Sequence, residues 1–325
     1  MESKKIIAVI GATGKQGGGL VDAVLADPAG PFVVRALTRD ANSRVANDLV
    51  ARGVEVVEAD LDDESSLARA FAGAHGAFVV TDFWAPLSPE QEEARPRPVR
   101  EFEQAANAAR AAKAAGVSHV VWSTLEDTRP HFEAAGDTVP RVEGGYTAPH
   151  FDVKAQADAI FSDLQVPTTY LRLPFFHETL FLGMGPVRNA RGELVLSIPL
   201  ADRRMTVIGA QDIGRTVHLI FKAGGDWIGE TVSIAAEHVT GEQLAEMLSA
   251  AVGEKVAYQP HSWDEFRGLP IPHAVAVANG LQFLAERSEE TELRDIELTR
   301  DLNPHLESYE TWIGKNRAAL RALNA

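Results

Sequence analysis

The chain opens with a run of five apolar residues, Ile6–Ile10, a length that suits a buried strand better than a helix. From there apolar runs alternate with amphipathic stretches. Gly18–Ala26 reads as a helix, Phe32–Leu37 as a second strand, and Ser43–Arg52 as a helix stopped by Gly53. Val54–Glu58 is a third strand. Asp63–Phe71 is a helix whose acidic start suits the positive end of the helix dipole. Ala77–Val80 is a fourth strand, and the alanine-rich Phe102–Ala115 a helix closed by Gly116. Val117–Trp122 and Thr168–Leu173 complete six strands, with a helix over Phe151–Leu164 between them. This alternation predicts an α/β chain with a parallel sheet covered on both faces. Right-handed crossovers make that sheet a doubly wound Rossmann domain.

After Pro174 the rhythm changes. Leu194–Ile198, Met205–Ile208 and Thr231–Ile234 read as strands, and Asp212 as the cap of a helix running to Phe221. Thr240-Gly241-Glu242-Gln243 and Ser262-Trp263-Asp264-Glu265 are capping boxes, in which a hydroxyl and a carboxyl or amide three residues on satisfy each other's backbone N–H groups. The tail from Leu281 reads as mostly helical. The expected organisation is a Rossmann domain over 1–175 that takes back part of 200–235. A smaller α/β domain over 176–325 would meet a substrate or partner.

Composition narrows the chemistry. The 325 residues are 45% hydrophobic and 24% charged, ordinary for a globular chain. Lys and Arg number 31 against 46 Asp and Glu, a formal net charge of −15. Such an acidic chain repels phosphate backbones and anionic lipid, so neither nucleic-acid nor membrane binding is expected. The densest basic stretch, Arg95-Pro96-Arg97-Pro98-Val99-Arg100, is short and broken by prolines. The absence of cysteine excludes disulfides, thiolate nucleophiles and cysteine zinc sites. The histidines lack metal-ligand spacing, so no metal site is expected. No stretch has the length of a signal-peptide core or a bilayer span, which makes the cytoplasm the expected location.

The strongest motif is Gly11-Ala12-Thr13-Gly14-Lys15-Gln16-Gly17, after the first strand and before the first helix. Gly11 permits the turn off the strand, Gly14 a close backbone approach to a pyrophosphate, and Gly17 close packing of the helix. The helix start adds unpaired N–H groups and a positive dipole end. Gly11, Thr13, Gly14, Lys15, Gln16 and Gly17 are therefore the expected phosphate contacts; the competing reading is a ligand-free glycine turn. In this fold the end of strand two faces the adenine ribose. Here it reads Leu37-Thr38-Arg39-Asp40, with no acid at the strand end itself. Arg39, with Thr38 and Arg44, suits a 2′-phosphate, which favours NADP(H) over NAD(H). The competing reading is a solvated Arg39 paired with Asp40. Asp60 and Leu61 fall near the adenine edge, where Asp60 reads equally as a helix cap. Thr81, Asp82 and Phe83 are expected to pass over the middle of the cofactor, although loop aromatics such as Phe83 and Trp84 more often cover core.

Taken together, Gly11–Gly18, Thr38-Arg39, Val80–Trp84, His150-Phe151-Asp152-Val153-Lys154, Leu173–Phe176 and the tail Arg294–Pro304 resemble the NmrA-like group of atypical short-chain dehydrogenases, including its redox-sensor members. The resemblance runs from about Ile6 to Trp312. It implies a Rossmann domain binding NADP(H), a smaller C-terminal domain, and regulation through protein partners. It also implies cofactor contacts from Lys154 and from the loop Phe176-His177-Glu178. Sensor relatives carry a further lysine after strand four; Ala94 stands at the matching place, with Arg95 and Arg97 beside it.

Ordinary short-chain dehydrogenases place a catalytic tyrosine four residues before the lysine, where it acts as general acid. In Gly145-Tyr146-Thr147-Ala148-Pro149-His150-Phe151-Asp152-Val153-Lys154 that position is His150. His150 is a candidate proton donor, or else a capping or surface histidine. Tyr146 is a looser alternative. Ser123 matches a substrate-orienting serine, or is an ordinary strand-end hydroxyl. Lys154 is expected to bind the nicotinamide ribose with or without chemistry. Two functions follow: an NADP(H)-binding sensor with a protein partner, or an NADPH-dependent reductase of a small quinone, enone or aldehyde. A homodimer is a further expectation, since two-fold oligomers predominate.

Overall fold

Why the first strand lies in the interior of its sheet is plain from its burial. Four consecutive residues of β1 (Lys5–Ile10) are buried, Ile7 to Ile10. In the computed structural model, which describes residues 3–136, 138–287 and 294–323, the chain divides into two compact units. The first comprises residues 1–127, 150–172 and 211–232, and the second 128–149, 173–210 and 233–325.

The first unit follows β1 with α1 (Lys15–Leu25), β2 (Phe32–Thr38), α2 (Arg44–Ala51), β3 (Glu55–Glu58), α3 (Glu64–Phe71), β4 (Gly76–Val79), α4 (Pro89–Ala94), α5 (Arg97–Ala115) and β5 (His119–Thr124). The chain then makes α6 (Arg129–Ala134), which belongs to the second unit, before α7 (Pro149–Asp163) and β6 (Thr168–Arg172). The pairings of β1 with β2 and β4, β2 with β3, β4 with β5, and β5 with β6 are all parallel. Between β6 and the next strand of this sheet come β7 (Phe175–Phe176), β8 (Val187–Arg188), β9 (Leu194–Leu196), β10 (Arg204–Ile208) and α8 (Ala210–Ala223). Strand β11 (Thr231–Ser233) then closes the seven-stranded order β11-β6-β5-β4-β1-β2-β3. Reversal of strand order beside β1 is the mark of the doubly wound arrangement, and it opens a crevice at the carboxyl ends of β1 and β4. Helices cover the sheet through a core that joins Leu67, Phe71 and the alanines of α5 to Trp122 and Phe161.

The second unit contains β12 (Glu237–Thr240), α9 (Gly241–Val252), β13 (Val256–Tyr258), α10 (Trp263–Arg267), α11 (Ala274–Arg287), α12 (Ile296–Leu302), α13 (Tyr309–Lys315) and α14 (Arg317–Ala322). It holds two three-stranded sheets, β12-β10-β7 and β13-β9-β8. Its core gathers Leu196, Val207, Leu244, Leu248, Tyr309 and Ile313. Both capping boxes form, Thr240 with Gln243 and Ser262 with Glu265.

Several elements differ from the sequence reading. Helix α5 begins at Arg97, five residues before Phe102, because Pro98 occupies the first turn, where a missing N–H costs nothing. A helix at Pro89–Ala94 stands where none was expected; its signal is Ser88-Pro89-Glu90-Gln91, a capping box with proline in the first turn. Asp212 is not a helix cap: α8 starts at Ala210, and the Asp212 carboxylate pairs with Arg215 one turn on. No described helix is long and apolar enough to cross a membrane.

Candidate functional site

The loop between β1 and α1 is a cradle of backbone. Gly11 adopts φ +67°, a left-handed conformation open to glycine, and a β-carbon there would meet Val80 Cγ1 at 3.0 Å. At Gly17 a β-carbon would lie 2.4 Å from the Gly11 carbonyl oxygen, a contact no side chain can relieve. Gly17 therefore lets the helix start close over its own loop, more than it lets the helix approach the strands. Gly14 caps α1 with no side-chain hydrogen bond, which leaves the first-turn N–H groups for a ligand. Thr13, Gly14 and Lys15 are exposed. Gln16 instead turns inward and accepts a 2.8 Å hydrogen bond from Ser123 Oγ at the end of β5. Ser123, 2% exposed, is thus more than a strand-end hydroxyl, because it ties the loop to the sheet.

At the end of β2, Arg39 is exposed and pairs with no carboxylate among the described residues. Asp40, its expected surface partner, accepts instead from the Asn42 backbone at 2.9 Å and folds into its own loop. Arg44 is exposed, 3.9 Å from Asp48 one turn on, and Ser43 caps α2. The Thr38 hydroxyl lies 3.3 Å from the Asp40 backbone. Asp60 does not cap α3; Asp63 does, while Asp60 accepts from the Asp62 N–H. The Leu61 carbonyl accepts from Asn107 at 2.8 Å. One residue on, the Asp62 carboxylate collects Arg95, Arg100 and Gln104 at 2.8 to 3.1 Å.

That contact explains the basic stretch. Arg95 pairs with Asp62 and Glu103. Arg97 donates to the carbonyls of Phe83 and Ala85 at 2.7 and 2.9 Å and pairs with Glu92. Arg97 thereby staples the loop after β4, and neither arginine is left as a free substitute for the lysine absent at Ala94. In that loop Thr81 and Phe83 are buried and Asp82 is exposed, its carboxylate accepting from the Trp84 N–H at 3.0 Å. His150, in the first turn of α7, is half-buried, so it is neither a helix cap nor a surface residue. Its ring lies among Trp84 (4.9 Å), Phe151 (4.9 Å) and Phe83 (5.9 Å). Tyr146 lies in the other unit, under the Arg129 guanidinium.

Lys154 is the most constrained cation of the site. It is 8% exposed and donates to Thr81 Oγ1 at 2.6 Å, with Glu101 Oε1 at 3.1 Å. The carbonyls of Thr81 and Ser123 stand at 3.3 and 3.4 Å, and the Trp122 ring centroid at 5.0 Å. Thr81 in turn donates to Glu101 Oε1 at 2.6 Å. Glu101, 2% exposed, was not among the expected site residues. The signal for it was present: on the alanine helix α5 it falls on the buried stripe with Ala105, Ala108 and Ala112, where a lone acid needs a partner. One turn after Lys154, burial raises the Asp158 carboxyl to about 6, against hydrogen bonds from Thr124 and Trp122 and the charges of Arg172 and Lys154.

The remaining expected contacts lie in the second unit. Phe176 is in β7. His177 is fully buried, stacked on Tyr309 at 4.0 Å and 7°, and burial lowers it to about 3, so it is neutral. Glu178 accepts from the Ala210 N–H through both oxygens at 3.2 Å. Among the described residues no cluster of three or more histidines or carboxylates could hold a metal ion.

Comparison with known proteins adds to this geometry. Residues 3–312 match the family model described as the NmrA-like family. The chain is 30% identical over 283 residues to the NmrA-like family domain-containing oxidoreductase lnbB of Aspergillus flavus, covering 82% of this chain and 80% of that one. Two solved structures of NmrA, a negative transcriptional regulator, one in complex with NADP and one with NAD, superpose at a TM-score of 0.76. Each is 20% identical, over 99% of this chain and 98% of theirs.

Proposed function

This chain belongs to the NmrA-like family, and on that premise we propose that it binds NADP(H) as a redox-sensing, regulatory protein without ordinary short-chain dehydrogenase chemistry. The glycine cradle and the uncapped start of α1 fit a pyrophosphate, which needs close backbone and N–H donors. Arg39, with no carboxylate partner among the described residues, stands beside Thr38 and fits a 2′-phosphate through a planar fork of donors. Lys154 is the residue for the nicotinamide ribose. The nicotinamide would supply hydride chemistry when bound; the chain supplies binding and orientation.

One observation carries the regulatory reading. A ketone reductase needs a general acid beside the lysine. The residue four before Lys154 is His150, whose ring is engaged by Phe83, Trp84 and Phe151. The ammonium of Lys154 is itself held by Thr81 and Glu101. A second reading, an NADPH-dependent reductase of a small quinone, enone or aldehyde, draws support from the oxidoreductase name of the Aspergillus flavus relative.

Fluorescence titration with NADPH and NADH tests the cofactor. NADPH is expected to bind more tightly, and Arg39→Asp to weaken NADPH selectively; equal affinities would refute the role of Arg39. A screen of NADPH oxidation against quinones, enones and aldehydes separates the two functions. Turnover that disappears in Lys154→Ala or His150→Ala while cofactor still binds would establish the reductase.

A further inference from the structure

We infer that Glu101 is a positioning residue for Lys154, holding its ammonium through Thr81 so that cofactor affinity depends on the charge at position 101. The inference rests on the proposed binding of NADP(H) by Lys154. A carboxylate 2% exposed on an alanine face is costly unless paired, and the Lys154 ammonium lies 3.1 Å away. Thr81, 4% exposed, bridges the two with hydrogen bonds of 2.6 Å on either side. Helix α5, the residues after β4 and the end of β5 therefore converge on the ammonium that α7 carries.

The neighbouring charges do not share this pairing. Arg97 and Arg100 line the same small cleft as Glu101, but Arg97 is directed at the carbonyls of Phe83 and Ala85 and at Glu92, and Arg100 at Asp62. Asp82, also at the cleft, accepts from the Trp84 backbone. Asp158, one turn along α7, is held by Trp122 and Thr124. Among the described residues, Glu101 is the carboxylate within ion-pair distance of Lys154. Its second oxygen, Oε2, is buried without a hydrogen-bond partner among those residues, so the carboxylate is fixed from one side, by Thr81 and Lys154. A lysine side chain has four rotatable bonds and a strongly hydrated head, and it keeps one direction in a binding site where a fixed counter-charge holds it.

The test is a double-mutant cycle read by NADPH titration of the full chain. Glu101→Gln is expected to weaken NADPH about tenfold. In a Lys154→Met background the same change is expected to have no further effect, since the two residues act as one unit. Thr81→Val is expected to weaken binding as Glu101→Gln does, and Thr81→Ser, which keeps the hydroxyl, to restore it. If Glu101→Gln does not fold, as judged by its melting curve, the Thr81 pair carries the test. A loss from Glu101→Gln of equal size in both backgrounds, or equal affinity in Thr81→Val and Thr81→Ser, overturns the inference. Wild-type protein that binds no NADPH, or Lys154→Met that binds as tightly as wild type, refutes the cofactor reading itself and the inference with it.

Discussion

Replacing Asp158 by Asn should make the protein more stable at neutral pH. The side chain sits on α7 one turn after Lys154, where it accepts hydrogen bonds from Trp122 Nε1 at 2.8 Å and Thr124 Oγ1 at 2.6 Å. Burial, working against those bonds and against the Arg172 and Lys154 charges, moves its carboxyl from 3.8 to about 6. A tenfold change in proton affinity corresponds to about 1.4 kcal/mol, so the ionised folded form carries a cost of about 3 kcal/mol at pH 7.5. An amide keeps an acceptor for both donors and removes the charge, and Asp158→Asn should recover up to about 3 kcal/mol. Because the folded value is raised, the wild type takes up a proton before its unfolded chain does and gains stability as pH falls through 6 toward 3.8. The advantage of the variant therefore shrinks to about 1.5 kcal/mol at pH 5 and disappears below the unfolded value. Urea unfolding of both proteins at pH 7.5 and 5 measures this. A variant no more stable than wild type at pH 7.5, or an advantage that does not change with pH, would refute the argument.

Other expectations follow from single contacts. Gly17→Ala forces a β-carbon to 2.4 Å from the Gly11 carbonyl and should cost about 2 kcal/mol, with NADPH affinity falling as the loop opens; unchanged melting and binding would contradict the cradle geometry. Gly214→Ala meets the Gly19 backbone at 2.0 Å where α8 crosses α1, so it should destabilise by about 3 kcal/mol in a melting experiment although it lies outside the loop. Burial first, with the charge of His75, lowers His119 from 6.5 to about 4, so the folded protein resists protonation that its unfolded chain accepts. That contribution is complete above pH 6.5 and falls away as pH drops toward 4. The protein should lose about 2 kcal/mol between pH 7.5 and 5 from this residue, and His119→Phe should flatten that slope in urea unfolding.

The sequence was informative wherever one short segment carries its own physics. The glycine loop could be read because turn, helix start and close approach are all set by residues Gly11 to Gly17 themselves. The alternation of strands and helices gave the doubly wound sheet for the same reason, since period and length of each run are local properties. The boxes at Thr240 and Ser262 form as their residues predict, and Ser88-Pro89-Glu90-Gln91 carries the same local signal. Pro96 at the cap and Pro98 in the first turn of α5 hid its true start, because the same residue both ends and begins helices.

What a pattern along the chain does not contain is which distant residues meet. Glu101 looks like one more charge on a soluble helix until α5 and α7 bring it to Lys154, 53 residues on, where both side chains are buried. His150 left a choice between proton donor, cap and surface residue, and its half-buried place inside the first turn of α7, against Phe83 and Trp84, removes the last two. Arg95 and Arg97 read as available cations, yet Asp62, Glu103, Glu92 and two carbonyls engage them. By itself the sequence determined the sheet, the loop and the presence of Lys154, because those depend on residue type and spacing. Only the tertiary structure decided which charges are paired, since pairing depends on distance and burial between segments that the chain keeps far apart.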